Sequence, residues 1–218
     1  LSVLAAQDNA TAERFLALGT PPSTVTVTGS LKFDLSIPDN LSQRAAELKT
    51  TWQLQGRPIW VAASTHDGED AVILEAFKLI QVSFPNALLL LVPRHPERFD
   101  KVAELIAKQG FSMARRSLQQ DVEPSVSVFL GDSIGELLLW LALADVAFMG
   151  GSLVNVGGHN PLEPAALAVP IVTGLTMFNF QQITDTLIEA GALKQGDDSV
   201  SLAKIVCDWL KNPEQKQK

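Results

Sequence analysis

The 218-residue sequence lacks the residues that disulfides and most protein metal sites need. Its single cysteine, Cys207, excludes an intrachain disulfide and any multi-cysteine metal site. It also has no His-x-x-x-His motif and no tight carboxylate cluster, so we expect no metal and no cofactor. The motifs G-x-G-x-x-G and G-x-S-x-G are absent as well, which argues against a dinucleotide fingerprint and against hydrolase chemistry.

Positive charge and long apolar runs are also scarce. The chain has 17 Lys and Arg against 24 Asp and Glu, a net charge of −7, which argues against a nucleic-acid surface or an anionic-membrane surface. An anionic ligand held by a few local arginines is compatible with this charge. The longest apolar run, residues 137–144, falls far short of the ~20 residues that cross a bilayer.

Short apolar segments typical of buried strands alternate with helical patterns along most of the chain. The clearest segments are residues 58–63, 87–92, 126–130 and 144–148. Such alternation predicts an α/β fold, a Rossmann-like and mainly parallel sheet flanked by helices. Because no repeat or linker is evident, we predict a single domain over residues 1–218.

A polar cluster follows each of these four strands, at residues 64–69, 93–98, 132–136 and 150–163. In an open parallel sheet the carboxyl ends of the strands meet at one edge, where ligands bind. The four clusters are therefore predicted to converge on one site.

Arginine and histidine dominate the second cluster, which contains Arg94, His95 and Arg98. A surface arginine is usually only solvated, but two beside a histidine at a strand end suit a phosphate or a carboxylate. We expect this role for Arg94 more than for Arg98, which could simply lie in the first turn of its helix.

The last cluster contains His159, Asn160, Pro161 and Glu163. This spacing fits helix capping, with Asn160 at the N-cap, Pro161 at N1 and Glu163 at N3. The alternative is a ligand site, in which Glu163 accepts hydrogen bonds from sugar hydroxyls and the preceding glycines let backbone N–H groups approach a phosphate.

The other clusters leave the same two interpretations open. Each of these clusters contains two residues that could cap a helix or lie beside an anion bound at a helix N-terminus. They are Ser64 and Thr65 in one cluster and Asp132 and Ser133 in the other. Three acidic residues of the first cluster are interpreted as charges that favour the helix dipole, and His66 and His159 as hydrogen-bonding residues. The three acidic residues are Asp67, Glu69 and Asp70.

Six segments, in this order, give the chain a specific resemblance. They are TGSLKFD (28–34), ASTHDGE (63–69), LVPRHPERF (91–99), LGDSIGEL (130–137), ADVAFMGGSL (144–153) and GGHNPLEPA (157–165). Together they cover almost the whole chain, which resembles the C-terminal half of the 3-deoxy-D-manno-octulosonic acid (Kdo) transferases of bacterial lipopolysaccharide synthesis.

The resemblance implies the C-terminal domain of a GT-B glycosyltransferase, which binds the donor CMP-Kdo. It implies an inverting, metal-independent transfer of Kdo to a lipid A precursor (lipid IVA) at the cytoplasmic face of the bacterial inner membrane. The acceptor site, the general base and the membrane contact would belong to an N-terminal domain that we expect to be absent here. The domain alone should then be soluble and bind CMP or CMP-Kdo without transferring sugar.

Donor-site residues are implied by the same resemblance. Arg94 and His95 match the residues expected near the phosphate, and Ile134, Gly135 and Glu136 those around the cytidine or ribose. Asn160 and Glu163 match an N-x-x-E motif whose glutamate contacts the nucleotide, and Ser64 and His159 complete the expected site.

Two other classes of function stay open at the level of sequence. One is a Rossmann-type enzyme or epimerase-like domain that uses a different sugar nucleotide. The other is a non-catalytic α/β interaction module in which the polar clusters only cap helices.

Overall fold

The computed structural model describes residues 2–7, 9–29 and 35–212. The chain forms two compact units, Leu1–Ser36 and Ile37–Lys218. The first unit is shorter than the ~40 residues below which a chain rarely supports a hydrophobic core of its own. The predicted count of one domain therefore stays a prediction. Two sequence-based features lie outside the described residues: Asp8, the predicted start of a helix over residues 8–18, and residues 30–34 of the TGSLKFD segment.

The first unit is a small β-α-β arrangement. Strands β1 (Leu4–Ala6) and β2 (Val25–Val27) pair in parallel, and α1 (Asn9–Ala17) connects them. Gly19 follows α1 at a φ of +90°, a left-handed conformation that glycine adopts without a steric penalty. The sequence pattern predicts a helix over residues 8–18 and a short strand over residues 25–28, in agreement with α1 and β2, whereas the three-residue β1 was not predicted.

The second unit is a seven-stranded, wholly parallel sheet with helices between its strands. The strands are β3 (Ile59–Thr65), β4 (Leu88–Pro93), β5 (Met113–Arg115), β6 (Val128–Leu130), β7 (Val146–Met149), β8 (Ile171–Thr173) and β9 (Leu193–Gln195). The helices are α2 (Leu41–Thr51), α3 (Glu69–Ser83), α4 (Phe99–Lys108), α5 (Leu137–Leu143), α6 (Leu162–Ala166), α7 (Gln181–Glu189) and α8 (Ser199–Lys211). The predicted parallel α/β fold is confirmed.

Both faces of the sheet are buried, as the unbroken apolar runs predicted. Along β3, Ile59 and Val61 belong to one apolar cluster and Trp60 and Ala62 to the other. Helices α2 and α5 cover the first face, and α3, α4 and α8 cover the second. Within the described residues, no helix is both long and apolar enough to cross a membrane.

The strand order β5-β6-β4-β3-β7-β8-β9 places a topological switch point at the centre of the sheet. The chain places β4, β5 and β6 on one side of β3 and then adds β7, β8 and β9 on the other side. Connections therefore diverge between β3 and β7, and this opens a crevice at the carboxyl ends of the strands, where such sheets bind ligands.

Candidate functional site

The crevice begins where β3 bends at Ser64. Ser64 is buried and has a φ of +55°, in the left-handed region that residues other than glycine seldom adopt, and the strand register shifts at this point. Gly150, at the end of β7, donates its N–H to the Ala63 carbonyl at 2.8 Å. A Cβ at Gly150 would overlap the Ser64 carbonyl. This backbone contact therefore requires glycine at position 150. A left-handed backbone at a residue other than glycine, as at Ser64, is a form of strain that is common at functional sites.

Glu69 joins the ends of β3 and β7 from beneath the crevice. Its carboxylate is fully buried and accepts four backbone N–H groups, from His66 (2.8 Å), Gly151 (2.7 Å), Ser152 (3.0 Å) and Leu153 (2.9 Å). Hydrogen bonds from N–H groups to a charged carboxylate are among the stronger ones in proteins. Glu69 is therefore an internal anion around which residues 150–161, the glycine loop between β7 and α6, fold, and not merely a charge in the first turn of α3.

This arrangement argues against the alternative interpretation in which the glycine loop offers its N–H groups to a phosphate. Three of those groups donate to Glu69, and the N–H groups of Gly158 and His159 donate to the carbonyls of Gly151 and Gly150. The glycines instead serve close packing, because a Cβ at Gly158 would overlap the side chain of Met177.

Arg98 and Asp70 form a second internal contact, which limits Arg98 as a ligand-binding residue. The Arg98 guanidinium pairs with Asp70 and donates to the Thr65 carbonyl at 2.7 Å, while the Thr65 hydroxyl donates to Asp70 at 2.6 Å. Burial raises the pKa of Asp70, and the bonds from Thr65 and Arg98 oppose that rise. Asp70, like Glu69, is thus a buried structural carboxylate, contrary to its sequence-based interpretation.

Arg94 and His95 lie exposed at the end of β4. The Arg94 side chain makes no hydrogen bond or ion pair with the residues that the structure describes, while its backbone N–H donates to the Thr65 carbonyl at 3.0 Å. Arg94 and His95 line an open cleft of about 230 Å³ together with Ser64, Ile134 and Gly135. The structure thus brings five of the nine predicted site residues into one cavity.

Glu136 adjoins this cleft, but its carboxylate is already engaged. Arg116 binds it through two bonds (2.8 and 2.7 Å), and the Ser133 hydroxyl donates to it at 2.6 Å. The Arg116 guanidinium holds the pKa of Glu136 below its usual range, although burial opposes the shift. Ile134 has a 78% exposed side chain, so what this turn offers to a ligand is an apolar side chain and backbone.

Asp132 is not the cap that the sequence suggested. Its buried carboxylate accepts from the backbone N–H (2.8 Å) and hydroxyl (2.6 Å) of Ser117 and from Arg115 (2.7 Å), and α5 begins only at Leu137. The side chain therefore ties the loop after β5 to the loop after β6. The prediction of Asp132 or Ser133 as N-cap of that helix is wrong.

All three histidines of the chain meet at this edge. The Nε2 atoms of His66 and His159 lie 2.8 Å apart, and the ring of His95 contacts that of His66 edge-on at a centroid distance of 5.1 Å. Burial, together with the charges of His66, Arg94 and His95, lowers the pKa of His159 to about 4. The pKa of His66 is lowered as well, chiefly by burial.

The structure gives different outcomes for Asn160 and Glu163, which were interpreted either as helix-capping residues or as ligand-binding residues. The Asn160 side chain accepts the Leu162 N–H at 3.1 Å, but α6 begins at Leu162 with Pro161 at its N-cap, so the prediction of Asn160 at the N-cap and Pro161 at N1 is wrong by one residue. Glu163 is half-buried and forms no hydrogen bond with the described residues, so it does not complete a capping box. Burial raises its pKa, and the nearby positive charge of Arg94 opposes that rise.

The side chains at this edge are thus of two kinds: some are exposed to a ligand, and others are engaged in hydrogen bonds or ion pairs within the protein. Arg94, His95, Ile134 and Gly135 are accessible, and Glu163 is unpaired among the described side chains. His66 and Glu69 lie in the predicted cluster 64–69, but their contacts with the loop after β7 were not predicted. The signal for Glu69 was present in the sequence, since a glutamate at the start of a helix beside the switch point can reach a neighbouring loop. No group of three His, Cys, Asp or Glu side chains suited to a metal ion occurs among the described residues.

Comparisons with known proteins identify relatives of this chain. A family model described as 3-deoxy-D-manno-octulosonic-acid transferase (kdotransferase) matches residues 1–35. The chain is 45% identical over its whole length to a 3-deoxy-D-manno-octulosonic acid transferase of Haemophilus influenzae, and 40% identical over 84% of its length to that of Bordetella pertussis. It spans 51% and 42% of these two relatives, about half their length.

Solved structures are similar in fold and, in one case, in sequence. The C-terminal CMP-Kdo binding domain of WaaA from Acinetobacter baumannii is 42% identical, with a TM-score of 0.78, over 81% of this chain and 92% of that one. Anabaena HepE in complex with UDP is 16% identical with a TM-score of 0.57, over 99% of this chain and 56% of that one, and it shows the fold alone.

The parallel sheet, its central switch point and the 42%-identical WaaA domain define the C-terminal domain of a GT-B glycosyltransferase. Within that class the identity is high enough to assign a family. The chain belongs to the 3-deoxy-D-manno-octulosonic acid (Kdo) transferase family and corresponds to its C-terminal domain.

Proposed function

We propose that the chain is the donor-binding domain of a Kdo transferase and holds CMP-Kdo at the carboxyl edge of its sheet. The observation that carries this proposal is Arg94, an exposed guanidinium with no ion-pair partner among the described residues, beside a cleft at the carboxyl ends of β3, β4 and β6. A domain in a chain of net charge −7 gains little general attraction for anions, so a local cation has to supply it. CMP-Kdo carries both a phosphate and a carboxylate.

Within this cleft different residues bind different parts of the ligand. Arg94 and His95 bind the phosphate. The exposed Ile134 side chain and the backbone at Gly135 receive the cytidine, since the carboxylate of Glu136 is held by Arg116. Support for these roles comes from the shared cavity and from the agreement with the family motifs.

Glu163 binds the ribose. A half-buried carboxylate without a hydrogen-bond partner is unfavourable, and sugar hydroxyls would supply the missing donors. Ser64 and His159 shape the wall of the site behind the ligand, and Asn160 holds the helix that carries Glu163.

The proposed reaction is a direct displacement at the anomeric carbon of Kdo. An acceptor hydroxyl of the lipid A precursor (lipid IVA) attacks that carbon, the bond to the phosphate oxygen breaks with its electron pair, and CMP departs with inversion. Arg94 stabilises the charge that develops on the departing phosphate without a metal. The hydroxyl proton passes to a base of the remaining half of the intact protein, which also supplies the acceptor site and the contact with the cytoplasmic face of the inner membrane. The present chain alone should bind the donor and transfer nothing.

Calorimetric titration of the chain with CMP tests the proposal. We expect saturable binding that Arg94→Ala and Glu163→Ala each weaken at least tenfold, about 1.4 kcal/mol, with unchanged thermal unfolding. Lys101→Ala and Glu189→Ala are matched controls, because both residues are exposed charges on neighbouring helices and should leave the affinity unaltered.

Thermal unfolding in the presence of different nucleotides separates the proposed function from the two alternative functions. Stabilisation by UDP-sugars or NAD but not by CMP would favour a domain for another nucleotide. If no nucleotide shifts the unfolding temperature, the non-catalytic interpretation stands, since a ligand at 100 times its Kd adds about 2.7 kcal/mol of stability. Wild-type affinity in both the Arg94 and Glu163 variants would refute the assigned site.

A further inference from the structure

His66 and His159 point directly at each other across the crevice, one from the end of β3 and one from the glycine loop after β7. Their Nε2 atoms are 2.8 Å apart, their ring centroids 5.0 Å apart and their planes inclined by only 13°. The centroid separation exceeds the nitrogen separation by about the width of one imidazole ring. The rings are therefore nearly coplanar and meet edge to edge, as a hydrogen bond between two imidazoles requires.

This contact restricts how many protons the pair can carry. A hydrogen bond between the two Nε2 atoms needs one proton on that line, given by one ring to the lone pair of the other. A neutral pair satisfies the condition with opposite tautomers, and so does a singly protonated pair, in which an imidazolium donates to a neutral ring. A second added proton would place two N–H groups head to head and break the contact.

From this geometry we infer that the His66–His159 pair is a proton-accepting unit of the donor site, which takes up one shared proton when the anionic ligand binds. The inference rests on the proposed function and extends it by adding His66 to the site and by giving the pair a proton-accepting role. A bound phosphate would face a local charge increased by one, while the hydrogen bond that joins β3 to the glycine loop is retained.

The charges around the pair favour this change only when a ligand is present. Three cationic or titratable groups on the loop after β4 and one buried carboxylate below the pair act on these rings; they are Arg94, His95, Arg98 and Glu69. In the free site, burial and the neighbouring cations lower the pKa of both rings, so the pair is neutral near pH 7. A phosphate that neutralises Arg94 removes part of that repulsion and adds an attraction for the proton.

Selective ¹⁵N labelling of the three histidines allows a direct test by NMR. The ligand is the methyl phosphodiester of CMP, because a diester has no phosphate group that titrates near neutral pH. In the free protein at pH about 7 we expect opposite neutral tautomers for His66 and His159. At saturation and pH about 6 we expect one of the two rings, or both in fast exchange, to show the imidazolium signature.

Calorimetry in buffers of different ionisation enthalpy should report the same event as net proton uptake, approaching one proton per ligand at pH about 6. His66→Gln should abolish the uptake while the ligand still binds. Lys101→Ala is the matched control, since Lys101 is an exposed charge on α4 outside the proposed donor site, and it should retain both the binding and the uptake. Should either variant fail to fold, the wild-type spectra alone decide.

Two results would overturn the inference in distinguishable ways. Saturable binding with both rings still neutral refutes the proton-accepting pair and leaves the proposed function standing. A chain that binds no CMP diester or CMP at all refutes the proposed function, and the inference with it.

Discussion

Replacing Glu69 by glutamine tests whether a buried carboxylate organises the donor site. Glutamine has the shape of glutamate but only one accepting oxygen. In either amide orientation its NH₂ group faces two backbone N–H groups, those of His66 and Gly151 or those of Ser152 and Leu153. Two buried donors are then unsatisfied and two charge-assisted bonds become neutral ones.

The expected loss follows from these contacts. An unsatisfied buried N–H costs about 1–3 kcal/mol, so the free energy of unfolding should fall by ~3–5 kcal/mol. For a chain of this size that corresponds to a decrease in Tm on the order of 10 °C. CMP affinity should fall as well, because the glycine loop that carries His159 loses its anchor.

Urea denaturation followed by circular dichroism measures the change, and Glu75→Gln provides the matched control. Glu75 lies on the same helix, α3, with its side chain in solvent, so its substitution should alter stability by less than about 0.5 kcal/mol. A loss for Glu69→Gln as small as that of the control would refute the role of Glu69 as the anchor of the loop.

Three further perturbations follow from the same geometry. Arg98→Met leaves the Asp70 carboxylate buried without its cation and should lower the free energy of unfolding by ~3–5 kcal/mol. Arg94→Met should leave it unchanged, and urea denaturation measures both variants. Gly150→Ala forces a Cβ into the Ser64 carbonyl and should cost ~3 kcal/mol or more, against ~1 kcal/mol for Gly110→Ala, which has a φ of +84° but open space around it. The pKa of His159, lowered from 6.5 to about 4, means that the unfolded chain binds this proton more tightly. Stability is therefore complete above pH about 6.5 and falls as the pH drops towards 4, by ~1–2 kcal/mol after solvent screening, and His159→Gln should remove this slope from thermal unfolding curves.

Each of these predictions has a contradicting result. Equal losses for the Arg98 and Arg94 substitutions would show that the buried pair has no special weight. A Gly150→Ala variant as stable as Gly110→Ala would mean that the β3–β7 contact relaxes freely. An unchanged pH slope in His159→Gln would assign the acid sensitivity to other groups.

The sequence predicted the sheet and its edge because apolar periodicity reports burial directly. The run 58–63 became β3, with its side chains alternating between the two cores, and five of the predicted site residues share one cleft. The partners of the charged side chains were not predictable, because they come from distant parts of the chain. Glu69 reaches a loop more than eighty residues away, and Arg116, which no sequence argument singled out, engages Glu136.

A crystal structure of the chain with CMP tests the central claim most directly. The account predicts density at the carboxyl ends of β3, β4, β6 and β7, with the phosphate within hydrogen-bonding distance of Arg94 and the ribose hydroxyls donating to Glu163. Density elsewhere on the molecule, or a nucleotide in the crevice that touches neither side chain, would contradict it.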